Sequence, residues 1–159
     1  MFDKIMGLPA HPLLVHAAVV FVPLLVGAAL AYALVPFVRR WITWAVLGLA
    51  VIAPFAAWFA TLSGNRFRTV QIANGASAEF IAKIDQHRDF GDKTLWAAIG
   101  LAVLAVLLIL VKVYWKSPGQ GPFVTSIVLI IAVVFFAGAS AYYVYKTGDS
   151  GARMVWGSS

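Results

Sequence analysis

Residues 94–114 read TLWAAIGLAVLAVLLILVKVY, and this stretch decides the fold class. It contains no acidic residue, and Lys112, near its end, is its only cation. A helix needs about 20 mainly apolar residues to cross a hydrocarbon core about 30 Å thick. Because lipid offers the backbone no hydrogen-bond partners, a spanning segment must satisfy its own N–H and C=O groups. The stretch is therefore predicted to be a transmembrane α-helix.

Three further segments have the same character, at residues 12–37, 41–62 and 122–145. None has Asp, Glu, Lys or Arg in its middle. The composition agrees, because 62% of the residues are hydrophobic and 11% are charged, whereas about 25% are charged in soluble domains. The chain is therefore predicted to be an all-α integral membrane protein, a four-transmembrane-helix bundle that forms a single domain over residues 1–159.

The connections between these helices are unequal in length. Arg39-Arg40 joins the first pair and residues 116–121 join the last pair, so each pair is predicted to form an antiparallel hairpin. Residues 63–91 form a longer loop, in which the amphipathic stretch 78–88 is predicted to be a short helix on the membrane surface. Two hairpins are reminiscent of a duplication, but the sequence contains no convincing repeat.

The even number of spans places both termini on the same side of the membrane. The face with the two tight loops has no acid and carries Arg39, Arg40, Lys112 and Lys116. Cations in short loops favour the cytoplasm, which predicts extracytoplasmic termini. The opposite face carries more cations in total and favours the reverse orientation.

Several chemistries are disfavoured by what the sequence lacks. There is no cysteine, which excludes disulfides, thiolate metal sites and a cysteine nucleophile. The net charge of +6 comes mostly from cations that flank the apolar runs, which indicates contact with lipid head groups rather than nucleic acid. Ser63-Gly64 and Ser140 lack an obvious set of base and acid partners, and residues 148–151 have no scaffold for an oxyanion hole, so no independent catalytic activity is expected.

The three histidines, His11, His16 and His87, all fall toward the face that bears the termini. His16 lies inside the first span, where an ionisable group usually faces the bundle and marks a pathway or a ligand. His11 is predicted to precede that helix, and His87 to precede the third helix and reach over the mouth of the bundle. The structural alternatives are a carbonyl-bonded His16, an interfacial or capping His11 and a solvated His87.

Two imidazoles from different elements can hold haem iron axially, and imidazole also suits zinc or copper. His16 and His87 are the predicted pair, with His11 as a substitute or a supporting partner. A zinc site would add Asp89 or Asp92 as a carboxylate ligand. Three arginines are placed to meet haem propionates as charge-assisted partners: Arg66, Arg68 and Arg88. A protein without any cofactor also remains open.

The sequence HPLLVH at residues 11–16, followed by Pro-Leu at 23–24, resembles the opening signature of a bacterial family. This is the domain-of-unknown-function 2231 family of four-helix membrane proteins. The tail GDSGAR at residues 148–153, with Val-Trp at 155–156, resembles the closing segment of that family, and His87 fits its layout. The resemblance covers essentially the whole chain.

The resemblance implies a place in a bacterial cytoplasmic membrane and, less directly, a function. Some members look as if they are joined to Rieske-type or cytochrome c-type domains, which implies membrane electron transfer and favours haem b over zinc or copper. The expected partners are the lipid bilayer and a redox protein or membrane complex, and a homo-oligomer is left open. The alternatives are a cofactor-free accessory or scaffold subunit and a His-based zinc- or copper-binding membrane protein.

Overall fold

The computed structural model describes residues 4–5, 8–115 and 120–157. All four long helices in these ranges are long and apolar enough to cross a membrane, which confirms the all-α transmembrane bundle. A 3₁₀ turn, Pro36–Val38, joins the first two, and two dipeptide strands, β1 (Lys4–Ile5) and β2 (Leu8–Pro9), pair antiparallel before the first. The helices are α1 (Ala10–Leu34), α2 (Arg39–Ala73), α3 (Ala78–Tyr114) and α4 (Gln120–Trp156).

The helix ends differ from those predicted, because charged residues end the apolar runs without ending the helices. α2 continues to Ala73 rather than stopping at residue 62, α3 begins at Ala78 rather than 94, and α4 runs to Trp156 rather than 145. The amphipathic stretch 78–88 is helical, but it forms the first turns of α3 and is not a separate surface segment. Ion pairs between residues four apart support these exposed turns, including Lys83 with Glu79 at 2.8 Å.

A four-residue turn, Asn74 to Ser77, replaces the predicted long loop between α2 and α3. Gly75 has φ of 75° and donates to the carbonyl of Ile72, while the next amide, that of Ala76, donates to the carbonyl of Gln71. This is the Schellman ending of a helix, which favours glycine in the left-handed region. Ser77 then caps α3 by accepting from the Phe80 amide. The predicted tight loop between α3 and α4 falls on residues 116–119, outside the described residues.

α2, α3 and α4 are longer than a membrane is thick. At 1.5 Å per residue, α2 is about 52 Å long and α3 and α4 are about 56 Å, against a hydrocarbon core of about 30 Å. The uncharged part of α3 lies between Lys93 and Lys112, so the extra turns lie at the end that bears the histidines. α1 begins at Ala10 and lacks those turns. At the histidine end of the bundle, α2, α3 and α4 therefore extend beyond the start of α1.

The helices pack as a ring, with α1 and α3 each in contact with α2 and α4. Small residues such as Ala29, Ala53 and Ala98 are buried at these contacts and allow the helices to approach closely. Large apolar side chains such as Phe135 and Trp96 are exposed, as expected of surfaces that face lipid. At the far end, Arg39 closes α1 by donating to the carbonyl of Tyr32 at 2.8 Å and to the next carbonyl at 2.9 Å.

Candidate functional site

A cavity of about 630 Å³ lies at the end of the bundle where α1 begins. Cofactor and small-molecule sites have volumes of about 300–1,000 Å³, so this cavity is large enough for a cofactor. All four helices contribute to it, and no Asp or Glu is among the described side chains that line it. Its wall is mainly apolar and includes Val15, Phe67, Phe80, Ile84, Val144 and Met154.

The imidazole of His11 lies against α2, beside a Ser-Gly pair. Its Nδ1 atom is 2.8 Å from Oγ of Ser63, and the Ser63 hydroxyl donates to the carbonyl of Ala60 at 2.8 Å. Because the single Ser63 hydroxyl proton goes to the Ala60 carbonyl, the serine oxygen accepts from the ring, so Nδ1 carries the ring proton and Nε2 keeps its lone pair. A Cβ atom at Gly64 would lie 3.2 Å from Cε1 of His11, so glycine permits the close approach of the ring.

His87 is held against α4 in the same way. Its Nδ1 atom is 2.9 Å from Oγ of Ser150, and the Ser150 hydroxyl donates to the carbonyl of Thr147 at 3.1 Å. Because the Ser150 hydroxyl proton goes to that carbonyl, the serine oxygen accepts from the ring, so Nδ1 of His87 carries the ring proton. A Cβ atom at Gly151 would lie 3.1 Å from Cε1 of His87. Each histidine is thus held by a Ser-Gly pair on the other helix of its own hairpin.

His11 and His87 lie next to each other at the cavity, and we call them the imidazole pair. Their ring centres are 6.3 Å apart and their planes are nearly perpendicular, at 88°. Phe67 stacks on His11 with ring centres 5.7 Å apart. With each Nδ1 occupied by a serine, the pair offers two Nε2 lone pairs, which are the atoms by which neutral imidazole binds a metal.

His16, which the sequence placed opposite His87, does not belong to the imidazole pair. Its side chain is exposed, and its Nδ1 donates to the carbonyl of Pro12 at 2.6 Å, one turn earlier in α1. His11 takes the position beside His87 because α1 begins at Ala10. The prediction that His11 precedes the helix was wrong, because Pro12 occupies the first turn and not the first position. His16 still lines the cavity.

The three arginines assigned to propionates have different surroundings. Arg68 is engaged with Asp85, and its Nη2 donates to Oδ2 of that residue at 3.0 Å. Arg66 is exposed on α2. Arg88 lines the cavity, and its buried Nε–H has no hydrogen-bond partner among the described residues. A buried donor left unsatisfied costs about 1–3 kcal/mol, so an anionic group at the cavity wall beside Arg88 would be stabilised.

The described part of the chain does not form a three-ligand metal site. Within residues 4–5, 8–115 and 120–157, no group of three His, Asp or Glu side chains comes close enough to hold a metal ion. The zinc set of His16, His87 and Asp89 or Asp92 that the sequence left open is therefore not assembled. The imidazole pair is thus accompanied by no third His, Asp or Glu among the described side chains.

The sequence reasoning missed Ser63, Gly64, Ser150 and Gly151, because it tested both serines only as nucleophiles. A signal was present in the sequence. Ser-Gly-Asn-Arg at residues 63–66 and Ser-Gly-Ala-Arg at residues 150–153 share the pattern Ser-Gly-x-Arg. The two copies lie at the same end of the two hairpins, so a search for repeats at this level would have paired them.

The comparison with known proteins places the chain in a family. Neither the curated proteins nor the solved structures contain a significant match. A family profile described as "Predicted membrane protein (DUF2231)" matches residues 7–159, which includes the imidazole pair and both Ser-Gly pairs. The match covers nearly the whole chain and agrees with four helices that are able to cross a membrane. The chain therefore belongs to the domain-of-unknown-function 2231 family of membrane proteins.

Proposed function

We propose that the cavity binds haem b, whose iron His11 and His87 would hold, and that the protein transfers electrons in the membrane. The separation of the two rings carries this proposal. An imidazole nitrogen binds a metal at about 2.0 Å and the ring centre lies about 1.1 Å behind it, so two imidazoles on opposite sides of one metal have centres about 6.2 Å apart. The observed separation is 6.3 Å. Two imidazoles at a tetrahedral angle would be closer, at about 5 Å.

The number of protein ligands also favours haem over a free metal ion. Structural zinc sites take four protein ligands and catalytic zinc sites take three, whereas the described residues assemble the imidazole pair and no group of three. In haem the porphyrin supplies the remaining ligands, so two imidazoles are sufficient. Bound haem would supply one-electron reduction and oxidation at its iron.

The other residues that line the cavity would suit both the apolar macrocycle and the anionic propionates of haem. Apolar side chains such as Phe80, Ile84 and Val144 would cover the faces of the macrocycle. Arg88 would meet a propionate through its buried, unpartnered Nε–H.

The test is the absorption spectrum of the detergent-solubilised chain after supplementation with haem b. The expected result is one haem per chain with the oxidised and reduced spectra of bis-imidazole, low-spin iron. His11→Ala and His87→Ala should each lower haem affinity more than 100-fold, above the range of about 10–100-fold seen when supporting residues are lost. His16→Ala is the matched control and should keep affinity and spectrum.

Two outcomes would contradict the proposal. A chain that stays colourless after supplementation would remove haem altogether, and elemental analysis for copper and zinc would then test a two-imidazole metal ion. Loss of the spectrum in His16→Ala with retention in His11→Ala would overturn the assignment of the axial pair.

We also infer that the cavity end faces the extracytoplasmic side of a bacterial cytoplasmic membrane. The opposite end of the bundle carries Arg39, Arg40 and Lys112, and short cation-bearing connections stay in the cytoplasm. A periplasm-dependent phosphatase fused after Ser159 should therefore be active, and the same fusion placed after Arg40 should be inactive. The reverse pattern would sink this orientation without affecting the haem proposal.

A further inference from the structure

The two hairpins of the bundle, α1–α2 and α3–α4, have the same buried pattern. Shifting α1 by 76 positions, the separation of His11 from His87, places each of its buried side chains on a buried residue of α3. The matched pairs are Ala18 with Thr94, Val22 with Ala98, Leu25 with Leu101, Ala29 with Ala105, Tyr32 with Leu108 and Ala33 with Ile109.

The second helices of the hairpins match in the same way. Shifting α2 by 87 positions, the separation of Ser63 from Ser150, places its buried residues on buried or partly buried residues of α4. The matched pairs are Val46 with Val133, Ala53 with Ser140, Ala57 with Val144 and Ser63 with Ser150. Any two bundle helices share a period of about 3.6 residues, so some agreement is expected. Here, however, both shifts are fixed in advance by the histidine–serine contacts.

Both hairpins begin at the cavity end, so the matches are those that a two-fold rotation about the bundle axis would produce. The two registers match His11 to His87, Ser63 to Ser150 and Gly64 to Gly151. The hydrogen bonds of the two hairpins also correspond. In each, the serine accepts from an Nδ1 atom and donates to the carbonyl three residues earlier. The cavity is therefore built from two equivalent half-sites, each consisting of one histidine and one Ser-Gly pair.

We propose that Ser63 and Ser150 are positioning residues of two equivalent half-sites, which hold the Nδ1 protons so that both imidazoles offer Nε2 to one ligand on the two-fold axis. The hydroxyl proton of each serine goes to a helix carbonyl, which leaves the serine oxygen as an acceptor for the ring. A donor fixed behind a ligating imidazole sets its tautomer and its orientation. The identity of the ligand as haem iron rests on the proposed function, whereas the positioning role does not.

The first measurement uses the chain without added haem, labelled with ¹⁵N-histidine in detergent, at a pH where the imidazoles are neutral. The ring nitrogen shifts report which nitrogen carries the proton. His11 and His87 should be protonated on Nδ1. Ser63→Ala should move only His11 toward the Nε2-protonated tautomer, and Ser150→Ala should move only His87. His16, whose Nδ1 is held by the Pro12 carbonyl, is the internal control and should not respond to either change.

The second measurement is haem affinity in the same variants. Each alanine variant should weaken haem binding about 10–100-fold, the range for loss of a partner behind a metal ligand. The equivalence of the half-sites predicts similar losses for the two serines. Ser63→Thr and Ser150→Thr retain the hydroxyl and should restore both the tautomer and most of the affinity, which a merely structural role would not require.

The outcomes separate the two proposals. Tautomers that respond in a chain that never binds haem would support the positioning role and contradict the proposed function. Haem binding that is indifferent to both serines, with unchanged tautomers, would overturn the positioning role and leave the function standing. A response of one histidine alone would overturn the equivalence of the half-sites.

Discussion

Replacing Gly100 by leucine is expected to destabilise the bundle by about 3 kcal/mol, at the upper end of the cost of overpacking a core. Gly100 lies on α3 and faces the ring of Phe136 on α4. A Cβ atom at Gly100 would overlap Cε1 of that ring and would lie 2.5 Å from its Cδ1. The ring is partly buried and packed against the core, so moving it aside would cost packing contacts. Thermal unfolding in detergent, followed by circular dichroism, would measure the loss.

The matched control is Gly138→Leu, because a Cβ atom at Gly138 would have nothing within 4 Å. That variant should unfold near the wild-type temperature. Combining Gly100→Leu with Phe136→Ala removes the obstructing ring, so the double variant should be more stable than the sum of the two single losses predicts. Equal stability of the Gly100 and Gly138 variants would show that α3 and α4 do not approach each other as closely as described.

The sequence predicts the number and the type of the helices because lipid imposes one strong rule, a long uncharged segment. It does not predict where the helices end. Arg66 and Arg68 stop the apolar run of α2, but a helix in water tolerates charged residues, and Arg68 gains an ion pair with Asp85 of α3. α2 ends only at Ala73, two residues before Gly75, whose left-handed φ prevents the helix from continuing. Hydropathy therefore marks the membrane boundary but underestimates the length of helices that continue beyond the membrane.

The sequence paired His16 with His87, whereas the structure brings His11 beside His87, and the reason is related. His16 is the histidine deeper in the span, and depth alone made it the stronger candidate. Which histidine lies beside His87, however, depends on how α1 is rotated about its own axis. It also depends on whether the neighbouring helix provides a hydrogen-bond acceptor and enough space for the ring. Ser63 and Gly64 lie where α2 continues past its apolar run, so the predicted end of α2 at residue 62 excluded them from the helix. In the longer α2, the His11 ring lies against the Ser63 hydroxyl, which accepts its hydrogen bond, and against Gly64, which has no Cβ atom to obstruct it.

Gly64→Val and Gly151→Val are expected to lower haem affinity more than 100-fold each, above the range for loss of a supporting partner alone. Cβ atoms at these positions would lie 3.2 Å from Cε1 of His11 and 3.1 Å from Cε1 of His87. An added isopropyl group would push each ring off its helix and out of reach of its serine. The measurement is haem titration, together with the ¹⁵N shifts of the displaced ring before haem is added.

Gly27→Val is the control for these two variants, because Gly27 is exposed on α1 and a Cβ atom there would have nothing within 4 Å. It carries the same cost of placing a β-branched residue in a helix, so any difference from it is due to the imidazole contact. The two site variants should also resemble each other, since each disturbs one half of a symmetric pair. Retention of the bis-imidazole spectrum in either variant would mean that its ring reaches the ligand from somewhere other than the Ser-Gly pair, and the half-site would have to be redrawn.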